Sequence, residues 1–248
     1  MPPLLEVPVI SIPTMWSVFK FLFLLCCPLL LAGYTSAFIG LVSKSTNRLI
    51  FTPYAEGFAA GIAIWWLFWQ RLMFFSTLVH ELNHLLAAAI FLRRPVALTV
   101  HETGEGEAQM GGNLLNPFIS LAPYCVPLAA IASIPLYLLL KATYLRVALG
   151  LLGFLLATHW VDVSKTFRSY QPDIQESGMF FSLAFCLLMN VIMSAIVTTL
   201  AMNAPSEVVT FLHDGYLLCK QMGYEEGCFA VHFAETGRTA ASSLLQSF

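Results

Sequence analysis

The chain has 248 residues, of which 58% are hydrophobic and only 10% charged, with a formal net charge of −2 and a mean hydropathy of +0.76. A soluble domain carries about 25% charged residues, so this chain lacks the polar surface that a water-borne domain needs. The charge balance leaves no basic footprint for nucleic acid either, and the class that remains is a membrane protein.

Residues 1–20 read as an N-terminal tail. From Phe21 to Val42 no charge occurs, and about 20 such residues cross a hydrocarbon core. The run continues past Ala32–Ala37, where a signal peptide would be cut, so a retained anchor is expected. The next apolar run, Gly57 to Leu92, is too long for one straight span. It is interrupted only by Gln70-Arg71 and by His80-Glu81-Leu82-Asn83-His84. Arg71 precedes His80 by nine residues, about 13 Å along a helix, or roughly half the hydrocarbon thickness. Arg71 is therefore expected at one interface and Arg93-Arg94 near the other. The spanning part is read as Leu72 to Leu92, with Trp65, Trp66, Phe68 and Trp69 extending it or lying in the interface.

Between Pro95 and Gly112 two short runs flank a Gly-rich turn, which predicts a β-hairpin over 96–112. A third span, about Leu114 to Leu140, holds Pro117, Pro123, Pro127 and Pro135. Proline removes a backbone donor, so this span should be bent or broken where neighbours or a cavity satisfy the freed carbonyls. A fourth span follows at about Tyr144 to Trp160, then a polar stretch over Val161–Ser177, and a fifth at Met179 to Met202. Pro205-Ser206-Glu207 reads as a helix start in a partly amphipathic, extramembrane C-terminal tail over 204–248. The fold class expected is thus an all-α polytopic membrane protein of about five transmembrane helices, with a short β-hairpin after the motif helix. The membrane domain covers 21–203 and its core about 72–190.

Cys26, Cys27, Cys125 and Cys186 lie in apolar runs and read as small buried hydrophobes. Cys219 and Cys228 lie in the tail and could pair only in an oxidising compartment. Lys and Arg are spread too evenly over the two sides to set an orientation.

The chemistry resides in His80-Glu81-Leu82-Asn83-His84. Histidines at i and i+4 share a helix face and can grip one zinc ion, while the intervening Glu is rotated away from the metal and can take a proton from water. With 6 His and 11 Glu in the chain, chance yields roughly 0.006 such motifs, so the pattern is not background. Ionisable groups inside an apolar span are costly and mark function. Zinc needs a third protein ligand, and three candidates stay open. Asp173, just before the fifth span, comes first, with helix capping as its plainer role. His159 follows, then Asp162, one turn further along the same helix face. His101 reads as a solvated loop histidine.

An HExxH inside a membrane helix, followed by a hairpin, a span and a later Asp, resembles the site-two protease family of intramembrane zinc metalloproteases. The similarity covers roughly 72–190, and its specific motif is His80–His84. The resemblance implies a zinc metalloendopeptidase with one Zn2+ per chain, held by His80, His84 and Asp173, with Glu81 as general base. His159 and Asp162 are the alternative third ligand or its supports. It implies a membrane-protein or transmembrane-peptide substrate pairing with the 96–112 hairpin as an added strand, with no nucleic acid. Asn113 and Asn116 could hold the substrate backbone, helix capping being the alternative. The expected seat is a bacterial cytoplasmic membrane, crossed several times. Asn83 stands where the family usually has glycine, and its NPxxxLDG-like signature is absent. Two other readings are a ZIP-like zinc transporter, with His159 and Asp162 as the facing half-site, and an HtpX-like zincin, with Glu176 as third ligand.

Overall fold

The computed structural model describes residues 12–44, 48–101, 105–111, 116–139, 144–202 and 206–225. Asn113 and Cys228 lie outside them. The chain order is α1 (Ile12–Lys44), α2 (Arg48–Ile90), β1 (Pro95–Val100), β2 (Gly106–Met110), α3 (Pro117–Ser120), α4 (Ala122–Cys125), α5 (Leu128–Leu139), α6 (Leu145–Thr166), α7 (Pro172–Ser177) and α8 (Met179–Ala201). A last helix, α9, covers 206–225.

Among the described residues four helices are long and apolar enough to cross a membrane: α1, α2, α6 and α8. That is one fewer than the five expected. The prolines of the third segment divide it into α3, α4 and α5, the longest of which has 12 residues. None of the three reaches across a bilayer core, which takes about 20 residues.

The α2 helix and α6 make the central pair. Small residues let them approach: a Cβ on Gly57 would collide with the backbone of Gly150, and one on Gly61 would stand 2.7 Å from the Phe154 carbonyl. Such small-residue faces are how apolar helices pack closely inside lipid. Going up α2, Gly57, Gly61 and Trp65 meet Gly150, Phe154 and Asp162 in ascending order, so this limb runs parallel to α6. Yet Ser76 returns to the same Asp162 carboxylate. On a straight helix Trp65 and Ser76 would be about 16 Å apart, too far for one short carboxylate to bond both. The α2 helix, continuous from Arg48 to Ile90, is therefore bent between them. At this level lie Trp66, Gln70, Arg71 and Lys165, with the Lys165 ammonium 3.5 Å from the centre of the Trp66 ring. This aromatic and basic group fits a water interface, where Arg71 was expected.

The α1 and α8 helices pack side by side through Cys27, whose thiol donates to the Ala184 carbonyl at 3.5 Å, and through Trp16 and Phe23 on Phe181. The α9 helix lies along α1, with Tyr34 on Phe211 and the free thiol of Cys219 buried against Gly33. The hairpin forms as read, over a narrower range: β1 and β2 are antiparallel with Leu98 opposite Ala108 and a register irregularity between Pro95 and Ala97. Gly178, at φ +89°, turns the chain from α7 into α8, a conformation glycine adopts without a Cβ penalty.

Candidate metal centre

His80 and His84 stand one turn apart in the C-terminal half of α2, their ring centroids 5.0 Å apart. The α7 helix brings Asp173 to meet them. One carboxylate oxygen, Oδ2, lies 3.6 Å from His80 Nε2 and 3.4 Å from His84 Nε2. Charge-assisted N–H···O bonds run at about 2.7–2.9 Å, so these separations are long for hydrogen bonds. Four ligands placed tetrahedrally at the zinc bond lengths of about 2.0–2.2 Å stand roughly 3.3–3.6 Å apart, which matches. Among the described residues His80, His84 and Asp173 form a group whose ligand atoms all lie within 4.8 Å of one another and could hold a metal ion. Two imidazoles and one carboxylate are a donor set for one metal ion, with room for a further ligand.

The supports are as informative as the ligands. His84 Nδ1 lies 3.0 Å from the Ile119 carbonyl. A carbonyl can only accept, so Nδ1 carries the proton and the Nε2 lone pair is left for a metal. That carbonyl is available because the residue four places on is Pro123, which has no N–H to return to it. Tyr124, fully buried on α4, sets its ring edge-on to His80 at 5.2 Å and its hydroxyl 3.5 Å from Asp173 Oδ2. Burial alone would raise the Asp173 carboxyl, but the imidazoles of His80 and His84 hold it well below the usual carboxylate range. It is thus an anion at neutral pH, the form that binds a cation. Glu81 stays outside the triad. Its carboxylate accepts from the Ala108 backbone N–H, and Gly106 lies so close that a Cβ there would come 2.8 Å from Glu81 Cγ.

The other candidates sit elsewhere. His159 is buried, and its Nε2 lies 2.8 Å from Asn190 Oδ1. The Asn190 amide nitrogen donates to the carbonyls of Tyr124 and Cys186, so its oxygen must accept and His159 Nε2 must donate. A protonated nitrogen offers a metal nothing, and His159 is a strut rather than the third ligand. Asp162 is turned to Trp65, whose indole N–H it accepts at 2.6 Å, and to Ser76. Glu176 accepts from the Ser120 hydroxyl at 3.0 Å and does not join the histidines. Asn116 caps α3, accepting from the Phe118 N–H at 2.9 Å, so its side chain serves the helix end. His101 is exposed in the hairpin turn. Asn83 donates to the Val79 carbonyl on its own helix.

Tyr124, the Ile119 carbonyl and the Ala108 N–H were absent from the reading of the sequence. Only the second had a signal there, in Pro123. No protein-family model matches the chain, and no curated protein and no solved structure matches it either.

Proposed function

We propose that this chain is an intramembrane zinc metalloprotease of the site-two protease type. The observation that carries the reading is the triad of His80, His84 and Asp173 at ligand spacing, with Glu81 beside it, free of the triad and tethered by the hairpin. Zinc held there would supply Lewis acidity, acidifying a water and polarising a carbonyl. The residues do the rest. Glu81 takes a proton from the water whose oxygen forms the new bond to the scissile carbonyl carbon. As the C–N bond breaks, Glu81 passes that proton to the departing amine. The Ile119 carbonyl and Tyr124 keep His84 and Asp173 in place throughout.

The hairpin offers a way to present the substrate. Its exposed strands offer backbone edges to which an extended segment can pair. The Ala108 N–H points to Glu81 and so away from β1, which places the outer edge of β2 at the site. A substrate strand added there would lie beside the general base.

The test combines metal content with hydrolysis of a reconstituted transmembrane peptide. Wild type should hold one zinc per chain and cleave. Glu81→Gln should hold the same zinc and cleave about 10²–10⁴-fold more slowly, the usual contribution of a positioned proton-transfer group. His84→Ala and Asp173→Ala should lose the metal. A wild-type protein without stoichiometric zinc, or unimpaired cleavage by Glu81→Gln, would sink the proposal. Zinc flux into vesicles without any peptidase activity would put the transporter reading in its place.

A further inference from the structure

A cavity of about 260 Å³ opens on the other flank of His80, between α2, α5 and α6, and no step above uses it. It is smaller than the pockets of roughly 300–1,000 Å³ that hold drug-sized ligands, a size that suits one side chain. Phe75, Val79, Leu128 and Leu155 give it apolar walls, with His80 on one side and Asp162 on another. Asp162 shares a hydrogen bond with Ser76, which lies one turn, about 6 Å, from His80 along α2.

Asp162 is the unusual member. Both donors it accepts from, Trp65 Nε1–H and the Ser76 hydroxyl, are neutral, and among the described residues it makes no ion pair. Lys165, one turn further on, is occupied by the Trp66 ring. A largely enclosed carboxylate with no cation beside it is costly and calls for a function. Its position says which. The α6 helix ends at Thr166, four residues beyond Asp162, where Lys165 lies beside Trp66, Gln70 and Arg71 of α2, a basic and aromatic group of the kind found at a water interface. Membrane segments carry Lys and Arg at their ends. A segment whose bond reaches the triad therefore brings its terminal basic residue near the level of Asp162.

We propose that this cavity receives a Lys or Arg side chain next to the bond to be cut, with the Asp162 carboxylate accepting its N–H groups. This rests on the hydrolase reading and narrows its substrate to membrane segments with a basic residue close to the cleavage point. Asp162 is then a specificity residue.

The experiment uses the full chain reconstituted with a library of transmembrane peptides, the products being read by mass spectrometry. Wild type should cut sites enriched about tenfold in Lys or Arg at one fixed position near the bond, the discrimination that a single charge-assisted hydrogen bond supplies. Asp162→Asn should reduce the enrichment below about twofold, and Asp162→Glu should keep most of it, since charge rather than shape selects. A second readout needs no turnover. The peptide so identified should bind the metal-loaded Glu81→Gln chain about tenfold more tightly than its norleucine counterpart, and adding Asp162→Asn should erase the difference. Products without basic enrichment, or the same enrichment in Asp162→Asn, overturn the pocket while leaving the hydrolase standing. Absence of products from zinc-loaded wild type removes both. Where Asp162→Asn fails to fold, Ala129→Leu narrows the cavity from α5 and should shift the same position to small residues. An unchanged profile there overturns the proposal equally.

Discussion

At the scale of single residues the site is a set of atoms whose roles follow from what their partners can accept or donate. The Ile119 carbonyl makes His84 Nδ1 the protonated nitrogen, and Asn190 does the same to His159 Nε2. The first leaves Nε2 for a metal, and the second takes that nitrogen out of contention. Tyr124 illustrates how such support is tested. Its hydroxyl reaches Asp173 while its ring packs on His80 and on Phe167, so Tyr124→Phe deletes one contact and keeps the packing. The expected result is a metal affinity about tenfold weaker, at the low end of the 10–100-fold that follows loss of a ligand's outer partner, with an unchanged melting profile of the metal-free chain. Competition with a chelator of known affinity measures the first and thermal unfolding the second. Unchanged affinity would show that the hydroxyl does not support Asp173.

At the scale of elements the question is how far the sequence announces this arrangement. The i, i+4 histidines announce themselves, because a helix puts them on one face whatever surrounds it. The proline-rich segment also announces a break, and Ile119 and Tyr124 show where two of its carbonyls go, to His84 and to Asn190. Asp173 against His159 and Asp162 could not be decided, since the choice depends on the path of α7 and on the direction of α8 after Gly178, neither of which has a local signal. The length of α2 was half legible: the run is too long for one span, but nothing in Gln70-Arg71 says that a single bent helix runs from Arg48 to Ile90. The hairpin was legible as a hairpin and its contact with Glu81 was not, because register and depth are set by packing against Thr77 and Glu81. That contact gives a prediction. A proline at 108 removes an N–H that faces Glu81 rather than β1, so it costs the two-stranded ladder no bond. If Glu81 is the general base proposed above, Ala108→Pro should therefore retain zinc and lower kcat about tenfold, a part of the 10²–10⁴ that a positioned proton-transfer group contributes. Loss of zinc along with activity would mean that the hairpin shapes the triad itself.

At the scale of the whole molecule the triad is a fastening between parts that the chain leaves far apart. His80 and His84 belong to α2, while Asp173 comes from α7, between α6 and α8, 89 residues after His84. The helices on either side are secured by other means: α2 to α6 through glycines, α6 to α8 through Trp160 on Ser194 at 3.0 Å and His159 on Asn190. The short α7 has little of this. It is held by Ile174 in the cluster with Leu121 and Tyr124, by Glu176 on the Ser120 hydroxyl and by Asp173 itself, so a bound ion would complete its attachment. A ligand that binds only the folded state stabilises it by RT ln(1 + [L]/Kd), about 4 kcal/mol at a thousandfold excess over Kd. Zinc added at that excess should raise the melting temperature of the metal-free protein in detergent, and protection against proteolysis should increase first at the loop between α6 and α7. Asp173→Ala should abolish both effects, whereas Glu81→Gln should preserve them, because the carboxylate at 81 lies outside the group of ligand atoms. If zinc stabilised Asp173→Ala as strongly as wild type, the ion would be held by other residues, and α7 would lose its claim to be part of the site.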